Sequence, residues 1–444
     1  MFSKIGSWTR KNALCILTFY FAVSFVFSDF GISAVVGASV LCTLLAAGIF
    51  EFIYSGDLRK KTWDRVDLLL ALFLVVLIVN ILRTGSISRD VAYYSIITAA
   101  SFCFIWITKS VDESQINTAK LILIIVASLA ALLNLIHLFF PDIISNYVLP
   151  VLTETSCEYY ERISSEGYGF ALGENVGYTE CLMVMGVAVI SLSMNRRNFL
   201  LLLPCFYLVI FGMCIMQRRG ELLICTIVLV LVTVLRIIRL RKANGTKDSF
   251  KLWELLAVTA IQVLLVALAF SAVNTLIENS RLENFLNSVS KIEAGQLDVD
   301  ELGNGRLVLW QLAWDGFLER PVFGNGWGSY AFVAPLSGNT HAHNAHCVYL
   351  QLLYETGGVG FLIIGAVFMI LLAMTVRQAI RMKRRRDMRN MLLGTFVILY
   401  ALGEGVFDNS LYYPYIMLLF SGAVMILFRS GNYDGHAVFT LSKD

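Results

Sequence analysis

The sequence predicts an all-α polytopic membrane protein of about twelve transmembrane helices. Both termini are expected to be cytoplasmic, and a large outer loop carrying an interfacial amphipathic helix is expected between spans nine and ten. Three observations predict it. Of 444 residues, 57% are hydrophobic and only 15% charged, with a mean hydropathy of +0.71, a composition that no water-soluble globule can cover with polar surface. Apolar runs recur at about the 20 residues that a bilayer-crossing helix needs, its backbone satisfied internally. Most of the 35 lysines and arginines fall in alternate loops, so one face of the membrane carries the positive charge.

The first run, Asn12 to Ser28, follows Lys4, Arg10 and Lys11 without a small-residue cleavage site, so it is expected to be a span and not a removable leader. Spans then follow at roughly 31–53, 66–82, 91–108, 119–140, 175–194, 198–216, 220–236, 252–274, 346–376, 390–407 and 411–428. With the N-terminus inside, DLRKKTWDR, NRRN, RIIRLRKANGTKDSFK and RQAIRMKRRRDMR all lie on the inner face. The whole chain is expected to form a single integral membrane domain. No internal repeat is apparent, which argues against transporter folds built from repeated halves. The net charge of +3 is explained by the inner loops, and nothing points to nucleic acid.

Two hydrophilic stretches, 141–174 and 275–345, face outward, and loops of that size in a compact protein are commonly functional. Of nine cysteines, most lie inside spans as small apolar residues. Cys157 and Cys347 are on or near the outer side; a bridge between them is one option and two free thiols the expectation. In CIMQRRGELLIC, residues 214–225, Arg218 and Arg219 sit in a short outer hairpin against the positive-inside trend. Ionisable groups at membrane depth are costly unless they face a polar cavity; the alternative is snorkelling to outer headgroups.

The second loop ends in the most informative stretch, residues 304–363. Leu307, Trp310, Leu312, Trp314, Phe317 and Leu318 form a broad apolar face on a helix opened by Gly305 and stopped by Pro321. Trp310 and Trp314 suit headgroup depth, and Arg306, in the first turn, is placed to meet a membrane-surface anion. In FGNGWGSY, Gly324, Gly326 and Gly328 permit tight turns and close approach of a ligand, although the flanks of a dinucleotide-binding loop are missing. HAHNAHC carries His341, His343 and His346. Their spacing fits no metal signature and no adjacent acidic residue completes one, so no metal is expected. One histidine at the mouth of span ten is expected to transfer a proton or donate a hydrogen bond. Arg218, Arg219, Arg306 and the histidines thus describe an outward cavity. Arginine forks match phosphate oxygens, and a lipid-linked diphosphate leaving group stabilised by them needs neither metal nor cofactor.

GRLVLWQLAWDGFLERPVFGNGWGSY followed by HAHNAHCVYLQLLYETGGVGF resembles the signature region of the O-antigen ligase/polymerase superfamily, which includes Wzy-type polysaccharide polymerases and WaaL-type ligases. QRRGELL resembles the earlier arginine motif of that family. The resemblance implies inverting, metal-independent glycosyl transfer from an undecaprenyl-diphosphate-linked glycan at the outer face of the bacterial cytoplasmic membrane. By that resemblance Arg219, Arg218 and Arg306 bind diphosphate. The family pattern of a histidine, Asn, Ser or Gln, about nine residues and Gly-x-x-Gly places its histidine at His346 when counted from Gly357 and Gly360. His343 has the expected Asn344 but lies three residues too far away, and Cys347 departs from the pattern. The implied partners are a lipid-linked donor and acceptor and the bilayer, with a flippase and a chain-length regulator as further candidates.

A polymerase and a ligase differ in the acceptor, a second lipid-linked repeat unit or a lipid A core. Deprotonating its hydroxyl calls for a histidine or a carboxylate, and Glu158, Glu161, Glu166 and Glu174 in the first outer loop are candidates. With Arg162, and with His341 and Trp310 from the second loop, that aromatic and polar mixture suits a sugar-binding surface. A lipid-linked oligosaccharide flippase is the competing class, but it needs polar groups through the membrane middle, where only His137, Glu404 and Asp408 stand out. A purely structural subunit leaves the outer arginines unexplained.

Overall fold

The computed structural model describes residues 2–31, 34–56, 65–84, 89–108, 111–165, 176–194, 198–216, 218–244, 249–276, 306–334, 344–382, 385–408 and 410–431. Among these residues every regular element is helical. The chain opens with α1 (Phe2–Lys11), a helix the sequence reading did not anticipate because its apolar residues are few. It lies on the third helix, where Ser3 Oγ donates to Glu51 Oε2 at 2.9 Å.

Helices occupy all twelve apolar runs. In order they are α2 (Ala13–Asp29), α3 (Ala34–Tyr54), α4 (Arg65–Arg83), α5 (Arg89–Ile107) and α6 (Glu113–Phe139), followed after the first outer loop by α8 (Val176–Ser193), α9 (Phe199–Ile215), α10 (Arg219–Asn244) and α11 (Ser249–Leu276). The last three are α13 (Val348–Arg381), α14 (Arg385–Glu404) and α15 (Pro414–Gly431). The two long hydrophilic stretches contribute α7 (Glu154–Ser165) and α12 (Arg306–Glu319). Among the described residues five stretches are long and apolar enough to cross a membrane: Val36–Tyr54, Val66–Arg83, Glu113–Phe139, Gly220–Arg239 and Val348–Arg381.

α8 is the central helix, buried at every residue from Cys181 to Ile190, as expected of a helix that is apolar all round. Small residues bring its neighbours close: a methyl at Gly212 of α9 would lie 2.7 Å from Ala131 Cβ of α6. Four phenylalanines knot α4, α5, α13 and α15 together. Phe73 and Phe102 have ring centroids 5.1 Å apart, Phe102 and Phe420 6.1 Å, Phe420 and Phe368 4.6 Å, and Phe368 and Phe73 6.4 Å. Such pairs contribute about 0.5–1.5 kcal/mol each beyond their buried area.

The feature that positions the outer loop is a break in α13. At Gly357 the backbone takes φ 64° and ψ −175°, outside any helix and accessible only to glycine. A break leaves N–H and C=O groups without intrahelical partners, and the glycine loop after α12 supplies them. Gly358 N donates to Pro321 O at 2.7 Å and Val359 N to Val322 O at 3.1 Å; in return Asn325 N donates to Tyr354 O at 2.9 Å and Gly326 N to Glu355 O at 2.8 Å. Gly324 lies so close that a Cβ there would sit 2.5 Å from Gly357 N. The close approach expected of these glycines is therefore made by helix backbone. On the other side the end of α4 clasps the loop: Arg83 donates to Phe323 O and Gly324 O, and Thr84 Oγ1 to Trp327 O at 2.9 Å.

Gly357→Ala is expected to destabilise the protein by about 2 kcal/mol or more, because the alanine would be strained and its Cβ would strike Val322. Gly365→Ala, on the same helix with open space around it, is expected to be neutral or stabilising by up to about 1 kcal/mol. Thermal unfolding of the two purified variants checks this; equal midpoints would mean that the break is not a structural requirement.

Candidate functional site

Three turns far apart in sequence meet beside the broken helix: that between α9 and α10, the approach to α13, and that between α14 and α15. The first presents Arg218, directly before α10. Its Nη2 donates to Asp408 Oδ2 at 3.0 Å and forms an ion pair with Glu221, one turn into α10; its Nε lies 3.7 Å from Glu180 Oε2 of α8. A guanidinium at this depth requires opposite charge around it.

The second turn presents His346. Its φ of 48° makes it the one described non-glycine residue in the left-handed region, a strained conformation that surrounding contacts must hold. Asn344 Oδ1 accepts from His346 N at 3.3 Å. Val348 N, the first of α13, donates to Gly405 O at 2.8 Å and to Asp408 O at 3.2 Å, fastening this turn to the third.

The third turn presents Asp408. His346 Nδ1 is 3.2 Å from Asp408 Oδ1, and Tyr413 Oη donates to the same oxygen at 2.8 Å. Burial pushes the Asp408 carboxyl up, but the His346 hydrogen bond, the Arg218 charge and the Tyr413 hydroxyl outweigh it and hold the group well below the usual carboxylate range. An ionised Asp408 accepts from Nδ1–H, so that Nε2 is the ring nitrogen turned away from the carboxylate. Side-chain exposure separates their roles: 37% for His346, against 14% for Arg218 and 6% for Asp408. The imidazole is the most solvent-accessible part of this cluster.

Arg306, at the start of α12, donates through Nη1 to Phe407 O at 3.0 Å and so stands next to Asp408 in the chain. Further in, Glu180 and Glu404 are fully buried, and neither carboxylate has a hydrogen-bond partner among the described residues. Glu221, Glu404 and Asp408 each offer an oxygen within 4.8 Å of the others, the grouping among described residues that can take a cation. Arg218 already supplies positive charge to two of the three.

The structure brings together Arg218, Arg306 and His346 from the expected set. Arg218, expected to meet diphosphate, meets carboxylates. Arg219 begins α10, and its side chain lies outside the described residues, as do His341, His343, Glu166 and Glu174. Trp310, assigned to headgroup depth, turns inward and donates Nε1–H to Ala345 O at 3.0 Å, while Leu307, Trp314 and Leu318 are exposed. Glu158, Glu161 and Arg162 are exposed on α7, where Arg162 lies over the Tyr159 ring at 5.0 Å. Cys157 and Cys347 are free thiols. His346 has an acidic partner in Asp408, which comes from 62 positions away in the chain. Its signal was present as an Asp in the short turn between two apolar runs. Glu180 and Glu221, each a lone acid in such a run, were passed over.

A family model described as O-antigen ligase matches residues 204–365, from α9 through the break in α13. The match supports the O-antigen ligase/polymerase superfamily, whose members are glycosyltransferase-like enzymes acting on lipid-linked oligosaccharides in membranes. No curated protein matches the chain.

Asp408→Asn retains the shape but leaves one carbonyl oxygen for Arg218, His346 and Tyr413 together. Breaking a buried ion pair from one side costs about 3–5 kcal/mol, so the thermal midpoint is expected to fall by several degrees. Glu158→Gln on exposed α7 is expected to stay within about 0.5 kcal/mol of the parent. A midpoint unchanged in Asp408→Asn would show that the pair with Arg218 does not stabilise the fold.

Proposed function

We propose that this protein is a polysaccharide polymerase of the bacterial cytoplasmic membrane, multi-pass with both ends cytoplasmic and its site facing outward. It transfers an oligosaccharide from one undecaprenyl-diphosphate-linked chain to a hydroxyl of a second lipid-linked repeat unit. The observation that carries this reading is the Asp408–His346 pair with only the imidazole open to solvent, beside arginines at the end of the bundle.

The chemistry divides among the residues as follows. The acceptor hydroxyl attacks the anomeric carbon from the face opposite the diphosphate, forming a new C–O bond as the bond to the diphosphate oxygen breaks, with inversion. His346 Nε2 takes the hydroxyl proton, and Asp408 stabilises the imidazolium that results. The diphosphate departs with the electron pair of the broken bond and is held by Arg306 and Arg219, whose forks match phosphate oxygens. Arg306 spends one nitrogen on Phe407 O and keeps the remainder of its fork for the anion. Arg218, enclosed by Asp408, Glu221 and Glu180, fixes the carboxylate that orients the histidine.

The test is purified protein in lipid nanodiscs with a single lipid-diphosphate-linked repeat unit and a chelator, the products resolved on a gel. A ladder is expected. His346→Ala is expected to lose about 10²–10⁴ in rate, the usual contribution of a positioned acid–base group. Arg219→Ala and Arg306→Ala are expected to abolish the ladder with the protein retained in the membrane, and lysine at either position is expected to substitute poorly because it lacks the fork. Full ladders from both alanine variants would sink the diphosphate assignment. Bound substrate without a ladder would redirect the assignment to a ligase awaiting a different acceptor.

A further inference from the structure

The buried carboxylate of Glu355 touches neither His346 nor Arg218, yet it is tied to the segments that present His346, Asp408 and Arg306. It lies in the last turn of α13 before the break at Gly357, fully buried. Its Oε2 accepts from Gly328 N at 2.7 Å and from Tyr412 Oη at 2.7 Å; its Oε1 accepts from Gln351 Nε2 at 3.1 Å and from Tyr330 N at 3.4 Å. Four donors from three segments on one carboxylate is what an enclosed anion requires.

The three side-chain-bearing donors each lead to a site residue. Gln351 uses its Oε1 to accept from Ala345 N at 3.0 Å, fixing the residue directly before the strained His346. Tyr412 is followed by Tyr413, whose hydroxyl donates to Asp408, and its ring stacks on Trp327 with centroids 4.5 Å apart. Tyr330 sends its hydroxyl to Leu309 O at 2.6 Å, on the helix that begins at Arg306. Trp310 of that helix closes the circuit by donating to Ala345 O.

We infer that Glu355 is a positioning residue: through Gln351, Tyr412 and Tyr330 it sets the His346 turn, the Asp408 turn and the Arg306 helix in register with one another. The assignment of those residues to catalysis rests on the proposed function; the mechanical coupling stands on the hydrogen bonds. A carboxylate is needed because it accepts on both oxygens. In Glu355→Gln one of those positions becomes an NH₂ that faces existing donors. If Gln351 flips to accommodate it, Ala345 N loses its acceptor, and the His346 turn is released.

Cys347 gives a readout independent of substrate. It is a free, half-buried thiol at the N-cap of α13, next to His346, so its alkylation rate follows opening of that turn. Cys181, fully buried on α8, is the control for the fold. In nanodiscs, maleimide labelling resolved peptide by peptide is expected to be about tenfold faster at Cys347 in Glu355→Gln than in the parent, the size of effect that follows loss of one buried hydrogen bond to a charged group, with Cys181 still silent. Turnover is expected to fall chiefly in kcat. Parental labelling at Cys347 in a folded Glu355→Gln overturns the inference. If Cys181 also labels, the variant has unfolded and Tyr412→Phe decides. That change removes a single donor; faster labelling of Cys347 upholds the coupling and a parental rate overturns it. A parent without turnover on the lipid-linked repeat unit, combined with the expected labelling, would count against the polymerase reading alone.

Discussion

A guanidinium buried among apolar helices is the constraint around which one end of this bundle is organised. Desolvating Arg218 costs several kcal/mol unless opposite charge is placed with good geometry, and Asp408, Glu221 and Glu180 come from three different helices or turns to provide it. The requirement fixes more than charge. Asp408 reaches Arg218 only if the turn between α14 and α15 lies against the start of α10, and that same placement lets its second oxygen meet His346 and Tyr413. Neutralising one cation thus orients an imidazole, with Nε2 turned away from the carboxylate.

The outer loop is held by a different device, which exchanges one kind of hydrogen bond for another. Breaking α13 at Gly357 forfeits ladder bonds that a long span would otherwise make. The loop from Pro321 to Gly326 restores them from outside, with carbonyls offered to the N–H groups beyond the break and N–H groups offered to the carbonyls before it. A surface loop is thereby given the rigidity of a helix, and α12 with Arg306 is carried along. Leu309 and Ala313 seal that helix inward while its exposed apolar side chains remain on the outside. Positioning of this quality is what electrostatic stabilisation of a leaving group depends on.

Much of this was legible in the residues. The twelve apolar runs are helices because a run of about 20 apolar residues has few alternatives, and Arg306 and His346 were singled out because charged or titratable groups beside such runs need a reason to be there. The partners were harder to see. Asp408 lies 62 positions from His346 and 190 from Arg218, and nothing local marks a carboxylate as paired with a distant cation. Glu355 was hidden for a similar reason: YLQLLYETGG reads as the outer end of a span, and only the backbone break turns its carboxylate toward the glycine loop. The same break explains Gly324 and Gly326 of GNGWGSY, whose backbone lies against the interrupted helix. α1 is not marked in the sequence because its apolar residues are few; it packs on α3 through Gly6, Thr9 and the Phe2–Phe50 ring pair.

The arrangement also bears on whether such a bundle is built to move a lipid-linked headgroup or to act on it where it lies. Translocating a diphosphate requires polar groups at successive depths, because each charge left in hydrocarbon costs at least about 2.5–3.5 kcal/mol. Here α4, α5, α13 and α15 are knotted by Phe73, Phe102, Phe368 and Phe420, all fully buried, and the central α8 is apolar from Cys181 to Ile190. Charged groups cluster instead in the turns beside the broken helix, where Arg306 and His346 keep partial access to the outside. A path through the phenylalanine knot would need those rings to separate. On the function proposed above, the chemistry takes place at the bundle's end, with the lipid tail remaining in the bilayer and only the glycan changing hands.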